Sequence, residues 1–228
     1  MAKFLIWVNT YNRKDMLCRL IENIRIEQRK HTVDIFVVND YSEEDYSEVK
    51  SSVQYYWETN KNYGKEEYYK LITFGLNKIK TLQSYDYYIK TDDDMCLACG
   101  FFHIVERLVA EINDPNWATI DILSAKRQRG KTLLGHPVEI QGERDKYYRT
   151  QWVDMNFIFN LKALPYTILN CKAGKASSGV GLWLTRYLTK KPYNLYQSAT
   201  SLVIHGDHPS KMNVEERKKN PLITRSEL

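Results

Sequence analysis

Three consecutive carboxylates, Asp92, Asp93 and Asp94, directly follow the mainly apolar run of residues 87–91. The run is typical of a short β-strand, which puts the triplet at the carboxyl end of a strand, where open α/β sheets bind ligands. Carboxylates packed together repel one another unless a cation lies among them, and Mg²⁺ and Mn²⁺ bridge carboxylates to phosphates. The triplet therefore indicates a metal-diphosphate site, with an acidic turn that caps the next helix as the alternative.

A second group of side chains is basic and aromatic. The cations Lys126, Arg127, Arg129 and Lys131 surround Gly130, and Arg144, Lys146 and Arg149 follow among Tyr147, Tyr148 and Trp152. Such a stretch can hold a phosphate backbone and stack bases, it can close over a sugar diphosphate, or it can be a charged loop without a ligand. The net charge of +5 favours an anionic partner.

The apolar periodicity predicts the elements that position these groups. Strands are predicted at residues 3–9, 33–38, 53–57, 87–91, 119–123, 155–159 and 201–204. Helices are predicted at residues 15–28, 66–80, 101–111, 161–169 and 178–188. Strands that alternate with helices predict an α/β fold in which helices cover both faces of a mostly parallel sheet.

The composition fits one domain with an ample core, since 43% of the residues are hydrophobic and the chain has 17 Tyr and 5 Trp. No apolar run is long enough to span a bilayer, and residues 1–8 are interpreted as a first strand and not as a signal peptide. Cys96 and Cys99 have CxxC spacing, but no second such pair completes a zinc site. Reduced thiols and a cytoplasmic location are therefore predicted.

Three motifs follow predicted strands: NTYNR at residues 9–13, VVNDYS at 37–42 and DDD at 92–94. In order, spacing and strand-end placement they resemble the motifs of GT-A glycosyltransferases, most closely those of glycosyltransferase family 2. The resemblance covers about the first hundred residues and is looser afterwards. It implies a GT-A (Rossmann-like) fold in a single domain, with a nucleotide-sugar-binding half at residues 1–124. Residues 125–228 would form the acceptor side and a C-terminal extension with part of the metal site.

The resemblance implies roles around the nucleoside. Thr10 and Asn12 would hold the nucleoside, and Asp40 would accept a hydrogen bond from its base. Lys65, in a loop at residues 62–65 that contains a glycine, would meet a phosphate. The alternatives are that Asp40 bonds its own backbone in a turn and that the Lys65 loop is a plain turn.

The acidic triplet matches the DxD motif of these enzymes. The resemblance implies that Asp94 ligates Mn²⁺ or Mg²⁺ directly, that Asp92 points toward the ribose or the metal, and that Asp93 lines the donor site. The metal would neutralise the departing diphosphate, which is Lewis-acid assistance to a leaving group.

The C-terminal region offers a second part of this site. In several retaining GT-A enzymes a C-terminal His ligates the metal and a Lys six residues later meets the diphosphate, and His205 and Lys211 have this spacing. His208 is a rival ligand. A structural role for His205 is the alternative.

One departure from family 2 concerns the general base. Inverting members carry an acidic pair before a late helix, whereas residues 177–183 here, SSGVGLW, contain no acid. Asp154 is the best replacement, and Asp207 and Glu139 are weaker ones. A retaining enzyme needs no such base, so the stereochemistry stays open.

The predicted function is metal-dependent transfer of a hexosyl or pentosyl group from a nucleoside-diphosphate sugar, a UDP-linked donor by expectation, to an acceptor hydroxyl. One candidate acceptor is double-stranded DNA with hydroxymethylated bases, held by the basic-aromatic loop at residues 126–152, as in DNA-modifying bacteriophage enzymes. The other candidates are a cell-envelope polysaccharide, a lipid and a protein. A non-catalytic binding module is opposed by the intact triplet. A nucleotidyltransferase is opposed by the lack of a Gly-rich basic loop after the first strand.

Overall fold

The computed structural model describes residues 1–82, 84–123, 147–169, 171–174 and 178–205. Its strands are Lys3–Thr10 (β1), Thr32–Asn39 (β2), Tyr55–Glu58 (β3), Tyr87–Asp92 (β4), Met95–Leu97 (β5), Trp117–Asp121 (β6), Tyr147–Thr150 (β7), Phe157–Phe159 (β8), Asn194–Ser198 (β9) and Val203–His205 (β10). Its helices are Lys14–Gln28 (α1), Ser47–Ser52 (α2), Tyr68–Ile79 (α3), Phe101–Ile112 (α4) and Val180–Thr189 (α5). None of these helices has the length and apolar character needed to cross a membrane.

The larger sheet brings the ends of three parallel strands to one edge. Its order is β3-β2-β1-β4-β8-β6-β9-β7, and β5 pairs with β10 in a separate two-stranded sheet. In the parallel pairing of β1 with β2, Thr10 is opposite Asn39, and in that of β1 with β4, Asn9 is opposite Asp92. The loops that follow these strands therefore meet at one place, because parallel strands end on the same side of a sheet.

The core lies on both faces of the larger sheet. Along β1 the side chains alternate, so that Phe4, Ile6 and Val8 join one cluster while Leu5 and Trp7 join the other. Helices α1 and α4 cover the first face, and α3 and α5 cover the second. A central strand that is buried on both faces reads as a continuous apolar run, which explains why this strand is evident from the sequence.

The predicted fold class is confirmed as an α/β fold with a mixed, mostly parallel sheet flanked by helices. Strands β7 and β8 run antiparallel to their neighbours. The helix predicted at residues 161–169 is wrong, because this segment forms turns. Pro165 lies in its middle, and a proline in a helix interior removes a hydrogen bond and clashes with the preceding turn.

The predicted strand at residues 201–204 is observed as β10, but it pairs with β5 outside the larger sheet. Strand β5 is only 3 residues long, and its sequence was not recognised as a strand. The pairing has a consequence for the site, because it places His205 opposite Met95, the residue after the acidic triplet.

Candidate active site

Asp93 and Asp94 are buried beneath the strand ends, with only 5% and 8% of their surface exposed. Arg13, in the loop that leads into α1, places its Nη1 atom 3.1 Å from Asp93 Oδ1 and 2.8 Å from Asp94 Oδ2. The Thr10 hydroxyl donates to Asp93 Oδ2 at 2.9 Å. Burial raises the pKa of Asp93 to about 7, although the Arg13 charge opposes that rise. Both oxygens of Asp93 are thus bonded within the protein, and this side chain anchors the triplet to β1 and α1.

Asp94 contacts His205, the histidine that was predicted to belong to the same site. The Nε2 atom of His205 lies 3.4 Å from Asp94 Oδ2, the same oxygen that accepts from Arg13. The His205 side chain is 25% exposed, so part of its imidazole is accessible to solvent. The structure therefore brings these two predicted metal ligands together, although they are far apart in the sequence.

The separation of these two atoms fits a shared divalent ion. In an octahedral site with metal–ligand bonds of about 2.1 Å, neighbouring ligand atoms lie about 3 Å apart. The 3.4 Å between His205 Nε2 and Asp94 Oδ2 is close to this value. Within the described ranges, no group of three or more His, Cys, Asp or Glu could hold a metal. Mg²⁺ and similar ions commonly complete their shells with water and substrate phosphates, so two protein ligands are sufficient for such a site.

Asp92 is held separately and faces outward. Its side chain is 34% exposed, and its Oδ1 atom accepts a hydrogen bond from Lys90 Nζ at 3.0 Å. Its Oδ2 atom accepts from Asn156 Nδ2 at 3.2 Å. Because Asp92 does not join Asp94 and His205 in a group of three ligands, its role toward the metal stays a prediction.

The loops after β1 and β2 are connected by hydrogen bonds of Asn12. Asn12 has a left-handed backbone conformation with φ of 48°. Its Oδ1 atom accepts from the backbone N–H of Glu43 at 2.8 Å, and its own N–H donates to Ser42 Oγ at 2.9 Å. The Thr10 hydroxyl also lies 3.2 Å from the hydroxyl of Tyr46. Thr10 and Asn12 therefore shape the strand-end surface through bonds inside the protein, and their predicted contact with a nucleoside is untested.

Asp40 forms hydrogen bonds to the loop that follows β3 and holds that loop against the strand ends. Its carboxylate accepts from the backbone N–H of Tyr63 at 3.0 Å and of Gly64 at 3.3 Å. The Thr59 hydroxyl donates to it at 3.4 Å. Burial raises the pKa of Asp40, although these hydrogen bonds oppose the rise. Lys65 follows Gly64 in the turn before α3 and is partly buried, so both predicted donor-site residues lie on one loop system.

Asp40→Ala should lower the free energy of unfolding by about 1–3 kcal/mol, because it leaves partly buried backbone N–H groups of the Tyr63–Gly64 turn without their acceptor. It should also weaken binding of nucleoside diphosphates, because that turn borders the strand ends. Urea denaturation and titration calorimetry measure the two effects. Glu22→Ala, on the exposed face of α1, is the control. Unchanged stability and affinity in Asp40→Ala would show that the loop needs no such anchor.

Asp154, the predicted general base, lies next to a buried carboxyl group that the sequence did not indicate. Its backbone N–H donates to Asp121 Oδ1 at 3.1 Å. Asp121 ends β6 and is fully buried, and burial together with the negative charge of Asp154 raises its pKa well above the usual range. Its position in a predicted strand indicates no role at the site. The Asp154 carboxylate itself accepts from the N–H of Met155 at 2.7 Å, and its role as a base is untested.

Several predicted site residues lie outside the described residues: Lys211, His208, Asp207, Glu139 and residues 126–146 of the basic-aromatic loop. The end of that loop is described. Tyr148 and Arg149 belong to β7, at the edge of the larger sheet, and the Arg149 guanidinium donates to Asn194 Oδ1.

Besides Asp121, three further site residues are not evident from the sequence pattern. Arg13 lies in the first motif and Asn156 in a predicted strand, and no pattern around either residue indicates a bond to the acidic triplet. Lys90 offered a signal, because a lysine inside an apolar strand is rarely buried unless a partner compensates its charge.

The sequence matches no protein-family profile and no curated protein. Solved structures do match. GalNAc-T7, crystallised with UDP, GalNAc and Mn²⁺, aligns with a TM-score of 0.65 at 12% identity, over 90% of this chain and 43% of that one. Residues 1–349 of S. aureus TarS in complex with UDP-GlcNAc align with a TM-score of 0.61 at 12% identity, over 93% of this chain and 61% of that one.

These likenesses define the class of fold. The chain has the GT-A glycosyltransferase fold expected from its strand-end motifs. It spans less than two thirds of the length of GalNAc-T7 and of the TarS fragment. At this level of identity the likeness concerns architecture, and the chemistry has to be argued from the site.

Proposed function

We propose that this chain is a metal-dependent glycosyltransferase that moves a sugar from a UDP-linked donor to an acceptor hydroxyl. The observation that carries the proposal is the contact between Asp94 and His205 at the strand ends of a GT-A fold. The presence of UDP and Mn²⁺ in GalNAc-T7 and of UDP-GlcNAc in TarS supports the choice of donor and metal.

In this proposal, Asp94 and His205 hold the divalent ion, which would supply positive charge to the departing diphosphate. Arg13 keeps Asp94 in place by pairing with it and with Asp93. The exposed part of the Asp92 carboxylate accepts hydrogen bonds from ribose hydroxyls, and Asp40 holds the neighbouring loop against the nucleoside.

The reaction breaks the bond between the anomeric carbon and the diphosphate oxygen and forms a bond from that carbon to the acceptor oxygen. The acceptor proton then goes to a carboxylate, for which Asp154 is the candidate, or to the leaving oxygen. The first path gives inversion at the anomeric carbon, and the second is open to a retaining enzyme. Turnover of Asp154→Asn distinguishes them, since only the first path requires the carboxylate.

Nucleotide selectivity tests the donor directly. Titration calorimetry should show that UDP binds more tightly with Mn²⁺ than with excess chelator, since a divalent ion held by Asp94 and His205 would supply positive charge to the diphosphate. CDP, GDP and ADP serve as comparison ligands. Equal, weak binding of all four diphosphates, with or without Mn²⁺, would contradict a UDP-sugar site.

For the acceptor we propose double-stranded DNA with hydroxymethylated bases, a substrate expected in the cytoplasm of a bacteriophage-infected cell. The support is the clustering of cations and aromatic side chains at residues 126–152, since cations neutralise phosphates and aromatic rings stack on bases. A base inside a duplex would have to be flipped out to reach the strand-end site.

The DNA proposal predicts a steep salt dependence of binding, because each neutralised phosphate releases counterions. Replacing Lys126, Arg127, Arg129 and Lys131 together by Ala should reduce the slope of log K against log salt by about one for each phosphate that the variant no longer neutralises. Fluorescence anisotropy with a labelled duplex over a range of salt concentrations measures this slope.

UDP-sugar hydrolysis by the quadruple variant is the internal control and should persist, because the donor contacts lie at the strand ends. Absence of DNA binding at low salt would indicate that the acceptor is a cell-envelope polysaccharide, a lipid or a protein instead. Loss of hydrolysis in the variant would instead place these cations on the diphosphate of the donor.

A further inference from the structure

Lys90 is a fully buried cation at the end of β4. Its side chain has 0% exposure. Strand β4 lies between β1 and β8 in the central region of the larger sheet. A charged ammonium is costly to remove from water, and it is found in such a place only when partners compensate its charge. The partners of Lys90 therefore indicate what the side chain is retained for.

The ionic partner of Lys90 is Asp92. The Lys90 Nζ atom donates to Asp92 Oδ1 at 3.0 Å and to the carbonyl oxygen of Thr91 at 2.7 Å. It also lies 5.7 Å from the centre of the Trp7 ring, on the face of the indole. Burial has the largest single effect and lowers the pKa of Lys90, but the charges of Asp92, Tyr68 and Asp93 and the hydrogen bond to Asp92 together outweigh it, and the net shift is upward. The ammonium therefore stays charged and fixes one oxygen of Asp92.

Asn156 fixes the other oxygen. Its Nδ2 atom donates to Asp92 Oδ2 at 3.2 Å, while its Oδ1 atom accepts from the backbone N–H of Asp92 at 3.0 Å. The Thr91 hydroxyl donates to the same Oδ1 atom at 3.0 Å. The amide orientation is thus determined by donors on one side and an acceptor on the other. Among the described residues, each Asp92 oxygen receives one hydrogen bond, and the side chain is 34% exposed, so each oxygen has a second lone pair that a ligand could use.

We propose that Lys90 and Asn156 are positioning residues that hold the Asp92 carboxylate in one orientation, in which it can accept hydrogen bonds from both hydroxyls of the donor ribose. This inference rests on the proposed function, because it assigns Asp92 to the nucleoside of the UDP-sugar. A carboxylate with one free lone pair on each oxygen matches the two neighbouring O–H donors of a ribose.

A purely structural role would have a different consequence. Lys90→Met leaves Asp92 without its cation, but the Asp92 side chain is 34% exposed and can be solvated by water, so the fold does not depend on the Lys90 charge. Its function then lies in what Asp92 does, and a defect in Lys90→Met should appear in recognition of the ribose. The same defect should be absent when Asp92 has already been removed.

The test compares UDP with 2′-deoxy-UDP by titration calorimetry in the presence of Mn²⁺. We expect wild-type protein to favour UDP by about tenfold, which corresponds to about 1.4 kcal/mol for one hydrogen bond. Lys90→Met should reduce this preference to about two- to threefold, and Asp92→Asn should do the same. Lys90→Met combined with Asp92→Asn should lose no more than Asp92→Asn alone, since both changes act on one group.

Asn156→Ala provides an independent variant should Lys90→Met fail to fold, and it should reduce the preference in the same direction. Lys50→Met, on the surface of α2, is the matched control and should keep the full preference. Normal UDP binding with an unchanged preference in Lys90→Met or Asn156→Ala would overturn the positioning role alone. Wild-type protein that binds neither nucleotide would overturn the proposed function as well.

Discussion

Asp94→Asn is expected to lower the turnover of the UDP-sugar by about 10²–10³-fold, the range seen when a group that stabilises transition-state charge is removed. The Oδ2 atom of Asp94 lies within 3.4 Å of His205 Nε2 and within 2.8 Å of Arg13 Nη1. Asparagine keeps the size of the side chain but removes its charge, so the site should lose its affinity for the metal and keep its shape. Steady-state kinetics and the Mn²⁺ affinity, measured by electron paramagnetic resonance, report these two effects.

Asp15→Asn, on the exposed side of α1, is the matched control and should behave as wild type. Circular dichroism should show the same fold in both variants. Chelation of the metal in wild-type protein should reproduce the defect of Asp94→Asn. Full turnover in excess chelator would contradict metal dependence, and full turnover of Asp94→Asn with bound Mn²⁺ would move the metal to other ligands.

Gly75→Ala is expected to reduce the free energy of unfolding by about 3 kcal/mol, the upper range for overpacking a core. A Cβ atom at Gly75 would lie 2.1 Å from Cζ2 and 2.6 Å from Cε2 of the Trp7 ring. The ring cannot retreat easily, because it is buried and its Nε1 atom donates to Asn9 Oδ1 at 2.7 Å. The direction of this change in the free energy of unfolding is informative, because a Gly to Ala substitution in an unobstructed helix interior normally stabilises the protein.

Urea denaturation measures this effect, and Asn77→Ala on the exposed face of the same helix is the control. Combining Gly75→Ala with Trp7→Phe should cost less than the sum of the two single changes, because the smaller ring leaves room for the new methyl group. A neutral or stabilising Gly75→Ala would show that α3 does not pack against β1 as the structure has it.

The strand ends were predictable because β1, β2 and β4 are buried on both faces and read as apolar runs that stop at polar residues. Thr10, Asp40 and Asp94 follow those runs, so parallel pairing alone brings them to one edge. The family resemblance predicted that His205 and Asp94 share a site, but it did not predict the strand pairing that brings them together. It depends on the pairing of two strands of 3 residues each, which are too short to show a periodic pattern.

The hydrogen bonds and ion pairs that hold the Asp92 and Asp94 carboxylates could not be predicted from the sequence. Asn156 reaches Asp92 across 64 positions of the chain, and Arg13 reaches Asp94 across 81. Such contacts depend on the order of strands in the sheet and on side-chain directions, and local patterns carry neither. Asp121 was overlooked for a related reason, since a single carboxylate at the end of an apolar run does not show whether it faces solvent or the core.

The most direct measurement is the release of UDP from UDP-sugars by wild-type protein with Mn²⁺, compared with Asp94→Asn under the same conditions. A panel that includes UDP-GlcNAc, UDP-GalNAc, UDP-glucose and UDP-galactose, each with and without hydroxymethylated duplex DNA, covers the donor and the proposed acceptor. Wild-type protein should release UDP from at least one donor in a metal-dependent reaction, and Asp94→Asn should lose this activity. Equal release by both proteins, or no release from any UDP-sugar together with no binding of UDP, would contradict the proposed function.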